Sequence, residues 1–164
     1  MAFRSANLNK TKKLLDNLFN MVSAEDPAYF ELSSHWARYL TIQVSGFMEE
    51  TLEEVFSEYI DRGSSERIAN YAKKQIASGR KNPKTDKFCS LLGTFSPEWA
   101  NQFNEFVSRE GIKDALDSVM SNRHQIAHGR SVGITIVRIR GYYEKCLKLA
   151  EYGEAVSYTH LRAH

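Results

Sequence analysis

The sequence has no long apolar run. No stretch free of Asp, Glu, Lys and Arg exceeds ten residues, as in 39–48. A helix that crosses a bilayer needs about 20 apolar residues, so no membrane span is expected. The opening MAFRSANLNKTKK has no apolar core, so a secretory signal is not expected either. Cysteine is scarce: Cys89 and Cys146 stand alone, without paired spacing. That argues against a disulfide framework and suits a reducing cytoplasm. Three prolines and nine glycines are too few for a loop-rich all-β fold. There is no Gly-rich phosphate loop, no CxxC, no HExxH and no G-x-S-x-G, which sets aside the nucleotide-binding, zinc-hydrolase and serine-hydrolase chemistries those motifs carry.

What is present fits one globular domain. The chain has 164 residues, of which 42% are hydrophobic and 26% charged, ordinary values for a folded protein with its own core. The net charge of +2 conceals an asymmetry. Residues 25–61 hold nine acids against one base, Arg38, whereas 66–87 hold seven bases against two acids, and 123–148 six against one. Basic faces of this kind could meet a polyanion; they could equally be solvated faces that pair across a bundle.

Apolar residues recur at helical spacing through most of the chain. A first helix is expected over 7–22 (Leu14, Leu15, Leu18, Phe19, Val22), followed by a cap and first-turn proline at Asp26-Pro27. The strongest stripe runs over 28–61, from Trp36 and Tyr39 to Tyr59 and Ile60. At 1.5 Å per residue such a helix is about 50 Å long, so one short neighbour could not cover it. Gly63 ends it; Gly46 inside it would let a partner helix pack closely. The glutamates of this helix (Glu49, Glu50, Glu53, Glu54, Glu58) read as a solvated face. Arg38 is expected to pair with Glu31 or Glu49.

Shorter helices are expected over 64–78 (apolar at Ile68, Tyr71, Ala72, Ile76), 85–92 and 97–108. The basic loop GRKNPK follows the first of them. Trp99, Phe103 and Phe106 read as core positions. A helix over 112–127 buries Ala115, Leu116, Val119 and Met120 and stops at Gly129. The last helix holds Ile139, Tyr142, Tyr143, Cys146, Leu147 and Ala150; Ile134 to Val137 is β-branched enough to be a short extended stretch instead. No internal repeat is present. The expected fold is a single all-α helical bundle over residues 1–155, with four to five core helices and short accessory ones. Residues 156–164, VSYTHLRAH, break the periodicity and resemble a translated vector read-through. They are read as a non-native tail, which leaves His35, His124 and His128 to consider and puts the native C-terminus in question.

One segment concentrates chemistry: Asn122-Arg123-His124-Gln125-Ile126-Ala127-His128-Gly129. Arg123 is four residues after Val119 and three after Met120, so it falls on the buried stripe. A guanidinium there needs an anion, a carbonyl or a wet cleft. His128, five residues on, would diverge from it by about 140° on a continuous helix. Two copies packed about a two-fold axis could bring an Arg and a His from each into one cleft. Arginine grips phosphate oxygens and histidine moves a proton near neutral pH. Together they suit cleavage of a phosphodiester, with no metal required where a ribose 2′-hydroxyl is the nucleophile.

Arg123 to His128 fits the R-x4-6-H signature of the HEPN superfamily. RHQIAHG closely resembles the RN-x-x-AHG form of the RiboL-PSP-type HEPN proteins. The long aromatic-rich helix before the motif and the final helix after it are similar to that group, over residues 10–152 in architecture. The resemblance implies a homodimeric helical bundle that cuts RNA without a metal or other cofactor, leaving a 2′,3′-cyclic phosphate. It implies a catalytic role for Arg123 on the scissile phosphate and for His128 as general base or acid. Family members usually have Asn or Asp after the arginine; here stands His124, which could orient or supply a second proton-transfer group. Many members are toxins or anti-phage defence effectors, which would add a cognate antitoxin or regulatory protein as a partner.

Asn122, Arg130, Arg138 and Arg140 adjoin the motif and are ranked as RNA contacts, above the GRKNPK loop. The alternative is a non-catalytic HEPN-like module that binds RNA or a protein. Read singly, Arg123 could fasten helix-end carbonyls, and His128 could answer a helix dipole. His124 and His128 also have metal-ligand spacing, with His35 as a distant third; no metal is assigned.

Overall fold

The computed structural model describes residues 2–22, 29–79 and 82–162 of the chain. Among them the regular elements are all helices: α1 (Ala6–Met21), α2 (Phe30–Gly63), α3 (Glu66–Gly79), α4 (Thr85–Phe95), α5 (Pro97–Val107), α6 (Ile112–Ala127) and α7 (Ile136–Arg162). The all-α bundle expected from the periodicity is the fold found. The Asp26-Pro27 cap lies outside the described residues. No helix among them is long and apolar enough to cross a membrane.

α2 is the axis. Four other helices, α1, α3, α6 and α7, pack on it, which is how so long a stripe is covered. Leu40, Val44, Phe47 and Met48 are fully buried on one side of it, and Leu52, Phe56 and Ile60 continue the line. α6 supplies Leu116, Val119 and Met120, and α7 supplies Ile139, Cys146 and Ala150. Tyr143 of α7 stacks on Phe19 at 5.0 Å and meets Phe47 edge-on at 6.2 Å. Its hydroxyl donates to Asp16 Oδ1 at 2.9 Å. Burial and the Asp16 carboxylate both push the Tyr143 phenol well above its ordinary range, so it stays a neutral donor.

Local chemistry sets the helix ends. Ser5 caps α1 by accepting from the Leu8 N–H at 3.3 Å. Ser96 separates α4 from α5, with Pro97 in the first turn of α5. Thr135 accepts from the Arg138 N–H at 3.2 Å and so starts α7 at Ile136. The β-branched 134–137 stretch is therefore a capped helix start; Ile134 and Ile136 are buried there.

Several expectations are corrected. Ile68 and Tyr71 are 61% and 67% exposed, and α3 turns Ala69 inward together with the expected Ala72 and Ile76. The expected line holds at Ala72 and Ile76 and fails at Ile68 and Tyr71, where a polar helix gives little signal. The α2 glutamates are ties, not a solvated face. Glu50 accepts from Thr11, Glu54 from Ser5 and Asn7, and Glu49 from the Asn82 N–H. Glu58 pairs with Arg4 and Arg62. Gly46 has open space where a side chain would be, so among the described residues no helix packs closely on it. Residues 156–162 do not break the last helix. They extend α7, with Ser157 buried and the Arg4 guanidinium 4.0 Å from the Tyr158 ring. Nothing in that stretch is Gly or Pro, so the helix propagates once it is packed.

The two cysteines differ in environment, which gives a direct test of the packing. Cys146 is fully buried in α7, and burial pushes its thiol up to about 12. Cys89 is half-buried on α4. At mildly alkaline pH an alkylating reagent should label Cys89 in the native protein and Cys146 only after denaturation, because the thiolate is the nucleophile. Peptide mass analysis reads this out; native labelling of Cys146 at the Cys89 rate would show that the core around α7 is open.

Candidate active site

The motif occupies the last turns of α6, where the buried stripe runs out. Val119 and Met120 are fully buried; Arg123, next on the same face, is only half-buried, and Ala127 is exposed. Arg123 thus sits at the wet end of the stripe and not inside it, a correction to the wheel projection. The projection gives a direction around the helix but not where its neighbours stop.

The end of α6 is built from backbone. His128 is the C-cap, and Gly129 follows in the left-handed region at φ 69°. The Gly129 N–H donates to Ile126 O at 3.0 Å and the Arg130 N–H to Gln125 O at 2.9 Å, the pair of bonds that makes a Schellman motif. Glycine is the residue that adopts this conformation without strain. Several of the last carbonyls are thereby satisfied, with no side chain needed to cap them. Among the described residues the Arg123 guanidinium makes no hydrogen bond or ion pair. An arginine that fastens helix-end carbonyls, one alternative open from sequence, is not what is found.

His124 and His128 are both exposed. Their rings lie one above the other across a helical turn, centroids 4.4 Å apart and planes at 64°. Two imidazoles and one unfastened guanidinium therefore share one helix end. Among the described residues no group of three or more His, Cys, Asp or Glu is placed to hold a metal.

The other expected contacts separate into two kinds. Arg130 is exposed beside the motif and donates to Gln125 Oε1 at 3.0 Å. Arg138 is exposed on the first turn of α7. Asn122 instead donates back to Ser118 O at 2.8 Å on its own helix. Arg140 donates through Nη2 to Phe19 O at 2.8 Å, with its guanidinium 5.3 Å from the Phe19 ring. That bond fastens α7 to the end of α1, a job sequence spacing could not show because the partner is 121 positions away. Of the GRKNPK loop, residues 80 and 81 lie outside the described residues; Lys84 is the N-cap position of α4.

One residue was misjudged from sequence. Arg38, expected to pair with Glu31 or Glu49, makes no ion pair among the described residues. Its Nη2 approaches Ser131 Oγ at 3.5 Å, three residues beyond His128. The available signal was its isolation as the only base of an acidic segment.

Trp99, Phe103 and Phe106 are packing residues, as expected. Trp99 meets Tyr59 edge-on at 4.8 Å, and Phe106 stacks on Tyr152 at 4.0 Å. Trp99 and Phe103 line an apolar cavity of about 40 Å³ between α2, α4, α5 and α7, to which no motif residue contributes.

Compared with known proteins, residues 5–153 match the family model described as RiboL-PSP-HEPN. Neither the curated proteins nor the solved structures contain a match.

Proposed function

Because the chain belongs to the RiboL-PSP-HEPN family, we propose that it is a metal-independent endoribonuclease that works as a symmetric homodimer. The observation that carries this reading is the half-buried Arg123, whose guanidinium has no partner among the described residues, on the same helix end as the exposed His128 imidazole. A guanidinium at the wet end of the stripe is open to an anion from outside, and a phosphodiester supplies one whose oxygens fit its fork.

In the proposed reaction Arg123 binds the non-bridging oxygens of the scissile phosphate. His128 accepts the proton of the ribose 2′-hydroxyl. The 2′-oxygen bonds to phosphorus, the bond from phosphorus to the 5′-oxygen breaks, and that oxygen takes a proton from a second imidazole. The products are a 2′,3′-cyclic phosphate and a free 5′-hydroxyl. Attack and departure occur on opposite sides of phosphorus. Two imidazoles one turn apart on one helix approach from the same side, so His128 of a second copy suits the acid role better than His124.

Exposed apolar residues support a second copy. Leu14 and Met21 on α1, and Leu32, Tyr39 and Ile42 on α2, are 41% to 74% exposed, more than scattered surface residues require. We place the protein in the cytoplasm as a toxin or defence effector, controlled by an antitoxin or regulatory protein.

The test is cleavage of labelled RNA pools by the purified protein in EDTA. Cleavage should persist, with cyclic-phosphate ends. Loss in EDTA with rescue by zinc would overturn the mechanism. RNA binding without cleavage would favour a non-catalytic binding module.

A further inference from the structure

We propose that Arg38 is a second phosphate-binding guanidinium of this site, holding the RNA backbone phosphate next to the scissile one. The inference rests on the ribonuclease reading and adds a residue from a different helix.

The argument starts from where the charge sits. Arg38 is the single base among nine acids in residues 25–61, yet none of the described acids takes it. Glu49, Glu50, Glu54 and Glu58 are bound to partners elsewhere. Its Nε is buried and has no hydrogen-bond partner. Its one hydrogen bond among the described residues is the Nη2 approach to Ser131 Oγ at 3.5 Å, at the long limit of such a bond.

Arg140 shows what a structural arginine looks like in this fold: its guanidinium meets a main-chain carbonyl at 2.8 Å. Arg38 lacks such a tie. A half-buried guanidinium with an unpartnered nitrogen and a weak hydroxyl contact is under-compensated. Among the described residues no anion completes it.

Position selects the anion. Ser131 follows His128 by three residues, which span at most about 11 Å of backbone. Arg38 therefore reaches the motif from α2 while Arg123 and His128 reach it from α6. An RNA strand with its scissile phosphate at Arg123 carries a neighbouring phosphate within the range of a second guanidinium. Arginine suits that role because its planar fork meets phosphate oxygens in pairs.

The experiment compares the parent, Arg38→Gln, Arg38→Lys and Arg67→Gln, the last being an exposed base on α3. Binding is measured with a single-stranded 2′-O-methyl RNA, which has no 2′-hydroxyl to react, over a range of salt. Cleavage is measured with the matching RNA, and thermal melting on each protein.

Arg38→Gln should weaken binding by about tenfold and lower the slope of log affinity against log salt by about one. It should act on KM more than on kcat and leave the melting temperature unchanged or raised. Arg38→Lys should recover part of the affinity, and Arg67→Gln should behave as the parent. A lower melting temperature with an unchanged salt slope would make Arg38 structural and overturn the proposal. Cleavage by the parent with no effect of Arg38→Gln on affinity would overturn it while leaving the ribonuclease standing. Binding without cleavage, still weakened by Arg38→Gln, would sustain Arg38 and remove the nuclease. A parent that binds no RNA would overturn both.

Discussion

Replacing His128 by alanine is expected to slow RNA cleavage by about 10²- to 10⁴-fold, the usual contribution of a positioned proton-transfer group. The fold should not notice. His128 is exposed, and the bonds that close α6 come from the backbone N–H groups of residues 128–130. The stability change should stay within about 0.5 kcal/mol. Arg123→Ala should cause a comparable loss of cleavage with little loss of stability, because among the described residues no hydrogen bond or ion pair of Arg123 exists to break. The double variant should be scarcely worse than either single one, since the two groups act on one transition state. Single-turnover cleavage and thermal melts on the same preparations decide it. Unchanged cleavage by His128→Ala would remove it from the reaction. A clear stability loss in Arg123→Ala would return that residue to a structural role.

The largest stability effect should come from Phe47→Ala. Phe47 is fully buried on α2 and sits between Phe3 and Tyr143, at centroid distances of 6.0 and 6.2 Å. Truncation removes a large apolar side chain and leaves a cavity that helices on several sides cannot close, so the cost should be about 3–5 kcal/mol. Against a total stability of about 5–15 kcal/mol that is a substantial fraction. The melting temperature should fall by roughly 6–20 °C, at about 2–4 °C per kcal/mol for a chain of this size. A drop of under 2 °C would mean that the packing around α2 is looser than the geometry indicates.

The helices differ in how much of them was legible. α6 could be read closely, from Ile112 to about Ala127, because its stripe is clean and Gly129 marks its end. α5 was announced by Ser96-Pro97. The inward face of α3 was read correctly at Ala72 and Ile76 but not at Ile68 and Tyr71, since a mostly polar helix offers little apolar signal and its contact with α2 decides the rest. The end of α7 was misread for a related reason. Residues 156–159 look irregular in isolation, but they propagate a helix already held against α2.

In the site the division is sharper. Residue type and spacing singled out Arg123 and His128 as candidates, and the family resemblance added His124, because a short segment on one helix is a local property. The glycine stop that leaves His128 at the surface is also local, set by one left-handed residue. What the tertiary structure decided is which charges are already spent. Arg140 is consumed by a carbonyl of α1, and the α2 glutamates by the start of α1 and the loop before α4. Among the described residues Arg38 is left without a carboxylate and delivered to Ser131 from a helix 93 positions away. Periodicity can say which way a side chain faces along its own helix. Whether that direction ends at a carbonyl, a carboxylate or open water depends on helices distant in sequence, and only their packing determines it.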